Sequence, residues 1–174
     1  MSFLQRIFGG DQRRRSLEPL YRAVVAAGRD PGWYREGGIP DTIDGRFDMV
    51  AAMMALTLLR LEKEGEAARE PSVLLTETFV DDMDATLRQL GVGDYVVGKH
   101  VGRMMGALGG RLAAFRAAAE DGTGFAGPVR RNIFHESPPN EAAVLWVAER
   151  LERFDRALAA RPLTDLLEAR LPVP

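Results

Sequence analysis

An all-α fold, packed as one domain of about eight helices, is what this sequence predicts, and three observations predict it. Every apolar periodicity has the helical spacing, and no stretch alternates as a half-buried strand does. Pro, Asp and Asn stand where helices would start, and Gly stands where they would stop. The 174 residues are 46% hydrophobic and 28% charged, an ordinary globular balance. A chain of this length buries about 70% of its unfolded surface, enough for one core without staples. No internal repeat or composition shift marks a second domain.

The elements follow in chain order. Met1 to Phe8 sets Phe3, Leu4, Ile7 and Phe8 around Arg6, then closes on Gly9-Gly10 and the run Arg13-Arg14-Arg15. This basic-apolar stretch, residues 1–15, stands apart from a helical domain over 16–174. Ser16 is placed to cap a helix whose Leu17, Leu20, Tyr21, Val24 and Val25 share a face and which Gly28 stops. Asp30-Pro31 restarts a short helix carrying Trp33 and Tyr34, ended by Gly37-Gly38. Residues 39–45 form a corner in which Asp41 and Asp44 are expected to cap helix starts. Arg46, two residues from both Asp44 and Asp48, is expected to tie that corner down.

A long helix then runs from about Arg46 to Glu64, and Pro71-Ser72 opens the next, which ends at Gly91-Val92-Gly93. Asp94 caps a helix reaching about Ala119. Past the glycine-rich loop 121–127, a shorter helix is expected over 128–135. Pro138, Pro139 and Asn140 set the start of another over 141–160, with Val144, Val147, Leu151, Phe154 and Leu158 inward. Pro162 begins a last short helix.

Composition excludes several chemistries. With no cysteine, there is no disulfide, thiolate nucleophile or Cys-ligated metal. The net charge of −2 argues against a bulk electrostatic DNA binder. The longest apolar stretch, Met49 to Leu59, is eleven residues, short of the roughly 20 that span a bilayer. No secretory leader is read at the N-terminus, and the expectation is a cytoplasmic protein, peripheral on the inner membrane.

Neither His100 nor His135 has a partner at zinc-helix spacing, and no serine of the four sits in a nucleophile elbow. Asp41, Asp44 and Asp48 around Gly45 resemble a calcium loop, but with Gly45 at loop position 6 the required Glu at position 12 is Ala51. Asp81, Asp82 and Asp84 bring to mind the magnesium–diphosphate helices of prenyl-transferring enzymes. Chelation needs carboxylates one turn apart, and the residue one turn after Asp81 is Ala85. The three acids are read as an acidic surface. No catalytic residue, cofactor or metal site is assigned.

The helix after Asp94 is unusual. Gly98, Gly102, Gly106 and Gly110 recur every fourth residue, and each costs about 1 kcal/mol in a helix interior. Close approach of another helix would offset that cost. An internal helix is the favoured partner, and a client's apolar helix, met beside Met104 and Met105, is the alternative. Charge is segregated too. Residues 62–84 carry a net −6, whereas residues 95–119 hold four bases and no acid. Of those, Lys99, Arg103 and Arg111 fall within about 120° on an ideal helix and are expected to share a partner-binding face. At the other end, Phe3, Leu4, Arg6, Ile7 and Phe8 are candidates for contact with an anionic membrane surface.

Three motifs in linked order carry a resemblance: the segment from Gly38 to Asp48, GIPDTIDGRFD; Phe79-Val-Asp-Asp-Met-Asp84; and Gly91-Val-Gly-Asp94 with Val97-Gly98-Lys99. Together they resemble the ubiquinol–cytochrome c chaperone family, over roughly residues 17–158. The resemblance implies an all-helical, non-enzymatic assembly chaperone with cytochrome b, nascent or newly inserted, as partner. In mitochondrial members it also implies a ribosome contact and a small helper subunit. The short N-terminus is read as that of a bacterial member, and Gly102 and Gly106 depart from the family pattern. A generic helical adaptor at the inner membrane is the alternative reading, and a helical diphosphate-dependent enzyme a distant third.

Overall fold

The apolar run from Met49 to Leu59 decides the architecture, because it is buried on every side of its helix. A computed structural model describes the backbone of residues 3–89 and 94–174, and side chains over 16–89 and from 98 onward. The run lies in α3 (Ile43–Glu62), which packs against α1 (Phe3–Gly28), α4 (Arg69–Gln89), α5 (Asp94–Asp121) and α7 (Glu141–Ala159). A helix that is apolar all round must be central. Its neighbours are amphipathic, and α7 buries the row Val144, Val147, Leu151, Phe154 and Leu158 that the sequence places inward. Each such side chain contributes about 1.5–3 kcal/mol on burial.

The remaining elements are α2 (Gly32–Arg35), a 3₁₀ turn at Gly65–Ala68, α6 (Ala126–Asn132) and α8 (Leu163–Leu167). Among the described residues there is no strand, and α2 is a single turn. That leaves seven longer helices where the sequence suggests about eight.

Several local expectations hold. Asp30 Oδ1 accepts from the Gly32 amide at 2.8 Å, and Asn140 caps α7 by accepting from the Ala143 amide at 2.8 Å. Others do not. Ser16 lies inside α1, which runs from Phe3 without a break at Gly9-Gly10 or at position 16. Pro19 is also inside it. Burial of Leu17, Leu20, Tyr21 and Val24 fixes the helix here, and tertiary packing outweighs local propensity. α6 begins two residues early and stops at Asn132, because His135 and Glu136 take left-handed backbone angles, φ 48° and 63°. The expected stop at Gly91-Val92-Gly93 lies outside the described residues.

Two arginines, Arg60 buried and Arg150 half-buried, close the fold. Arg60, on α3, donates to the carbonyls of Leu158 at 3.1 Å and Arg161 at 2.7 Å. It thereby satisfies acceptors left open at the end of α7. Arg150 of α7 lies 4.4 Å over the Trp33 ring and 5.1 Å from that of Trp146, and pairs with Asp30 at 2.8 Å.

Candidate functional site

The segment from Gly38 to Asp48 folds into a corner that places a buried carboxylate against the core. Thr42, rather than Asp41 or Asp44, caps α3, accepting from the Gly45 amide at 3.1 Å. Gly45 sits against the Pro40 carbonyl so closely that a Cβ would fall 2.1 Å from that oxygen. Arg46 does tie the corner, but to Asp41, at 2.6 and 3.2 Å, instead of to Asp44 or Asp48. It holds the Asp41 carboxyl below the usual range.

Asp48 is then free to turn inward. It is 4% exposed and accepts from the guanidinium of Arg111 on α5 and from His135 Nε2 at 2.8 Å. Arg111 is itself 3% exposed, donates to the carbonyls of Ala107 and Asn132, and stands 5.8 Å from the Phe47 ring. Its Nε is buried without a hydrogen-bond partner among the described residues. Burial raises the Asp48 carboxyl, with Arg111 and His135 pulling it back, and burial lowers Arg111. The cluster joins α3, α5 and the end of α6 through charges that neutralise one another. Such a group fixes geometry, and neither partner is presented to solvent as a recognition charge.

This corrects the expected basic face. Lys99 and Arg103 are exposed on α5, with Arg103 Nη2 2.6 Å from His100 Nδ1. Arg111 faces the interior and does not join them. The helical angle between the three residues is right, but it does not say which side of the helix meets α3. The sequence signal for the Asp48–Arg111 pair was an acid placed directly before an all-apolar run. His135, on a loop, gives no comparable signal.

The acidic motif divides as well. Asp81 is exposed, Asp82 is half-buried and accepts from Tyr21 Oη at 2.7 Å, and Asp84 pairs with Arg88 at 2.6 Å. Burial, followed by the Asp82 bond, pushes the Tyr21 phenol far up. Asp82 is therefore a strut between α4 and α1 more than part of a solvated face. Phe79 of the same motif is fully buried, 6.5 Å from Tyr21 and 6.3 Å from Phe47, ring to ring. Among the described residues no group of three acids or histidines is placed to hold a metal ion.

The glycine stripe overturns the favoured expectation. A Cβ built at Gly98, Gly102, Gly106 or Gly110 would meet nothing within 4 Å. Among the described residues no helix packs there, and the stripe is open. Backbone-to-backbone approach occurs instead at Gly28, where a Cβ would fall 2.8 Å from Val50 Cα as α1 crosses α3. Met104 and Met105 are half-buried against the core. The backbone of Phe3, Leu4, Arg6, Ile7 and Phe8 is helical, while their side chains lie outside the described residues. No helix among the described residues is long and apolar enough to cross a membrane.

Fold and surface together define an all-helical protein with a fixed, charge-locked interior and an open face along one long helix. The chain belongs to the ubiquinol–cytochrome c chaperone family, whose model, described as Ubiquinol-cytochrome C chaperone, matches residues 35–171. A solved structure described as the Cbp3 homolog from Brucella abortus shares the fold. The two align with a TM-score of 0.80 and 24% identity, over 99% of this chain and 97% of that one. Comparison with curated proteins gives no significant match.

Proposed function

We propose that this protein is a non-enzymatic assembly chaperone for the ubiquinol–cytochrome c reductase of a bacterium, and that it holds cytochrome b during biogenesis. The observation that carries the reading is the family match over residues 35–171, which takes in the corner, the acidic motif and all of α5. The titratable groups of the interior support it. Asp48 and Arg111 are bound to each other, and Asp82 is bound to Tyr21, so these groups are engaged in holding helices together.

The client-binding surface in this reading is the outer side of α5. There Gly98, Gly102 and Gly106 leave backbone open, Lys99 and Arg103 are exposed, and Met104 and Met105 lie alongside. An apolar helix of a membrane protein can approach such a stripe closely, and methionines adapt to its side chains. Asp81 and Asp84 serve as a secondary contact, while Asp82 is held by Tyr21. The N-terminal residues Phe3, Leu4, Arg6, Ile7 and Phe8 keep the protein at the anionic membrane surface where its client is inserted.

The test is deletion of the gene. Cytochrome b and mature reductase should fall while the cytochrome b messenger stays normal, and re-expression of the chain should restore both. Wild-type reductase levels in a strain with no second copy of the gene would overturn the reading and leave a generic helical adaptor.

A further inference from the structure

Between the end of α1 and the corner lies a cleft of about 320 Å³ lined by Arg29, Pro31, Tyr34, Arg35, Asp41 and Arg46. Three guanidinium-bearing residues and one carboxylate line it, so its local charge is +2. Asp41 is engaged by Arg46 through Nε and Nη2, which leaves the third amine of Arg46 open. Asp30 lies nearby but does not line the cleft, and its Oδ1 is held by Arg150 and the Gly32 amide. Among the described residues Arg29 and Arg35 make no ion pair.

Tyr34 forms the wall. Its hydroxyl donates to the Gly28 carbonyl at 2.9 Å, fixing the ring among these charges. Burial raises the phenol above its ordinary value, against the pull of Arg46 and Arg29. With Arg46 neutralised by Asp41, the excess positive charge of the cleft comes from Arg29 and Arg35, which favours an anion between them. Among the described residues neither Arg29 nor Arg35 makes a side-chain hydrogen bond or ion pair that braces another element.

We propose that this cleft binds a phosphate group, and that the group is the headgroup of an anionic phospholipid. Arginine recognises phosphate through paired N–H donors, and a local charge of +2 matches a phosphate monoester, which among simple anionic glycerophospholipids is the headgroup of phosphatidic acid. The lipid assignment comes from the rim. Ile43 is 62% exposed and stands three residues before Arg46, on the same side of α3. Pro31, which lines the cleft, is exposed as well. An apolar tip next to a basic cleft is the arrangement of an interfacial contact, where the tip enters the headgroup boundary and the cleft takes the phosphate. This site is independent of the client surface on α5.

The experiment uses the full chain and two probes: inorganic phosphate, and phosphatidylcholine vesicles with or without phosphatidic acid. Phosphate should produce saturable shifts in the arginine Nε–Hε resonances of Arg29, Arg35 and Arg46. Phosphatidic acid should promote cosedimentation. The double variant Arg29→Ala/Arg35→Ala should weaken both by about tenfold, with an unchanged thermal melt. Arg131→Ala/Arg153→Ala removes the same charge from exposed positions on α6 and α7 and should leave both within about twofold. Saturable phosphate binding with equal vesicle binding by wild type and cleft variant would support the phosphate site and overturn the lipid as its source. No saturation with either probe, or equal weakening by the two double variants, would overturn the site.

Discussion

The glycines of the corner and the glycines of α5 are the same residue used in opposite ways. At Gly45 and Gly28 the missing side chain is filled by backbone, the Pro40 carbonyl in one case and Val50 in the other. At Gly98, Gly102 and Gly106 the missing side chain leaves open space. The first pair brings segments of the fold together. Among the described residues the stripe yields no internal packing, and it still costs helix stability. A residue that costs stability without an internal return indicates a requirement outside the folded chain, and here that is the proposed client.

Substitutions can break this contrast, and the largest effect belongs to the charge pair that the corner positions. Asp48→Asn leaves Arg111 buried without a counter-charge and should cost about 3–5 kcal/mol of unfolding free energy, read from urea denaturation. Replacing both partners, Asp48→Leu with Arg111→Met, should recover most of that loss. A double variant as weak as the single would mean that the charges themselves, rather than their mutual compensation, hold the corner.

Next come the packed glycines. Gly45→Ala and Gly28→Ala should each cost about 1–3 kcal/mol, because the neighbouring atoms are backbone and give way poorly. The same change on α5 should have the opposite sign. Gly102→Ala and Gly106→Ala should each stabilise the fold by up to about 1 kcal/mol, seen as a raised thermal midpoint. Gly102→Leu sharpens the comparison: it should leave the fold intact and reduce co-purification of cytochrome b. Undiminished client capture by this variant would move the client surface off α5.

The smallest effect concerns pH. Asp155, on α7 facing the α3–α5 side, has its carboxyl raised by burial, with Lys63 and Arg156 pulling it down. Its ionised form is therefore disfavoured in the folded state relative to the unfolded chain. Stability from this residue is lowest at neutral pH and rises as pH falls through the raised folded pKa. Asp155→Asn should melt slightly higher than wild type at pH 7, and the gap should close toward pH 4. A gap that widens on acidification would mean that attraction to Lys63 outweighs burial.

The amino-acid sequence by itself determined the helices, most of their ends and the central place of α3. Those features depend on neighbours in the chain: the turn-by-turn repeat of apolar residues, the Asn140 cap, and Gly or Pro at the breaks. The corner was visible as a motif, though its cap and its Arg46 partner were misassigned, because Thr42 and three nearby acids offer equivalent local chemistry. What the tertiary structure alone decided is direction. A helical repeat fixes angles between Lys99, Arg103 and Arg111 about their own axis, and it fixes the spacing of four glycines, but it does not say which side of α5 meets α3. Packing turned Arg111 inward onto Asp48, sent the glycines outward, and gathered Arg29, Arg35 and Arg46 from three separate elements around one cleft. Asp48 and Arg111 stand 63 residues apart, and the three arginines lie on different elements, so no single helical repeat encodes either grouping.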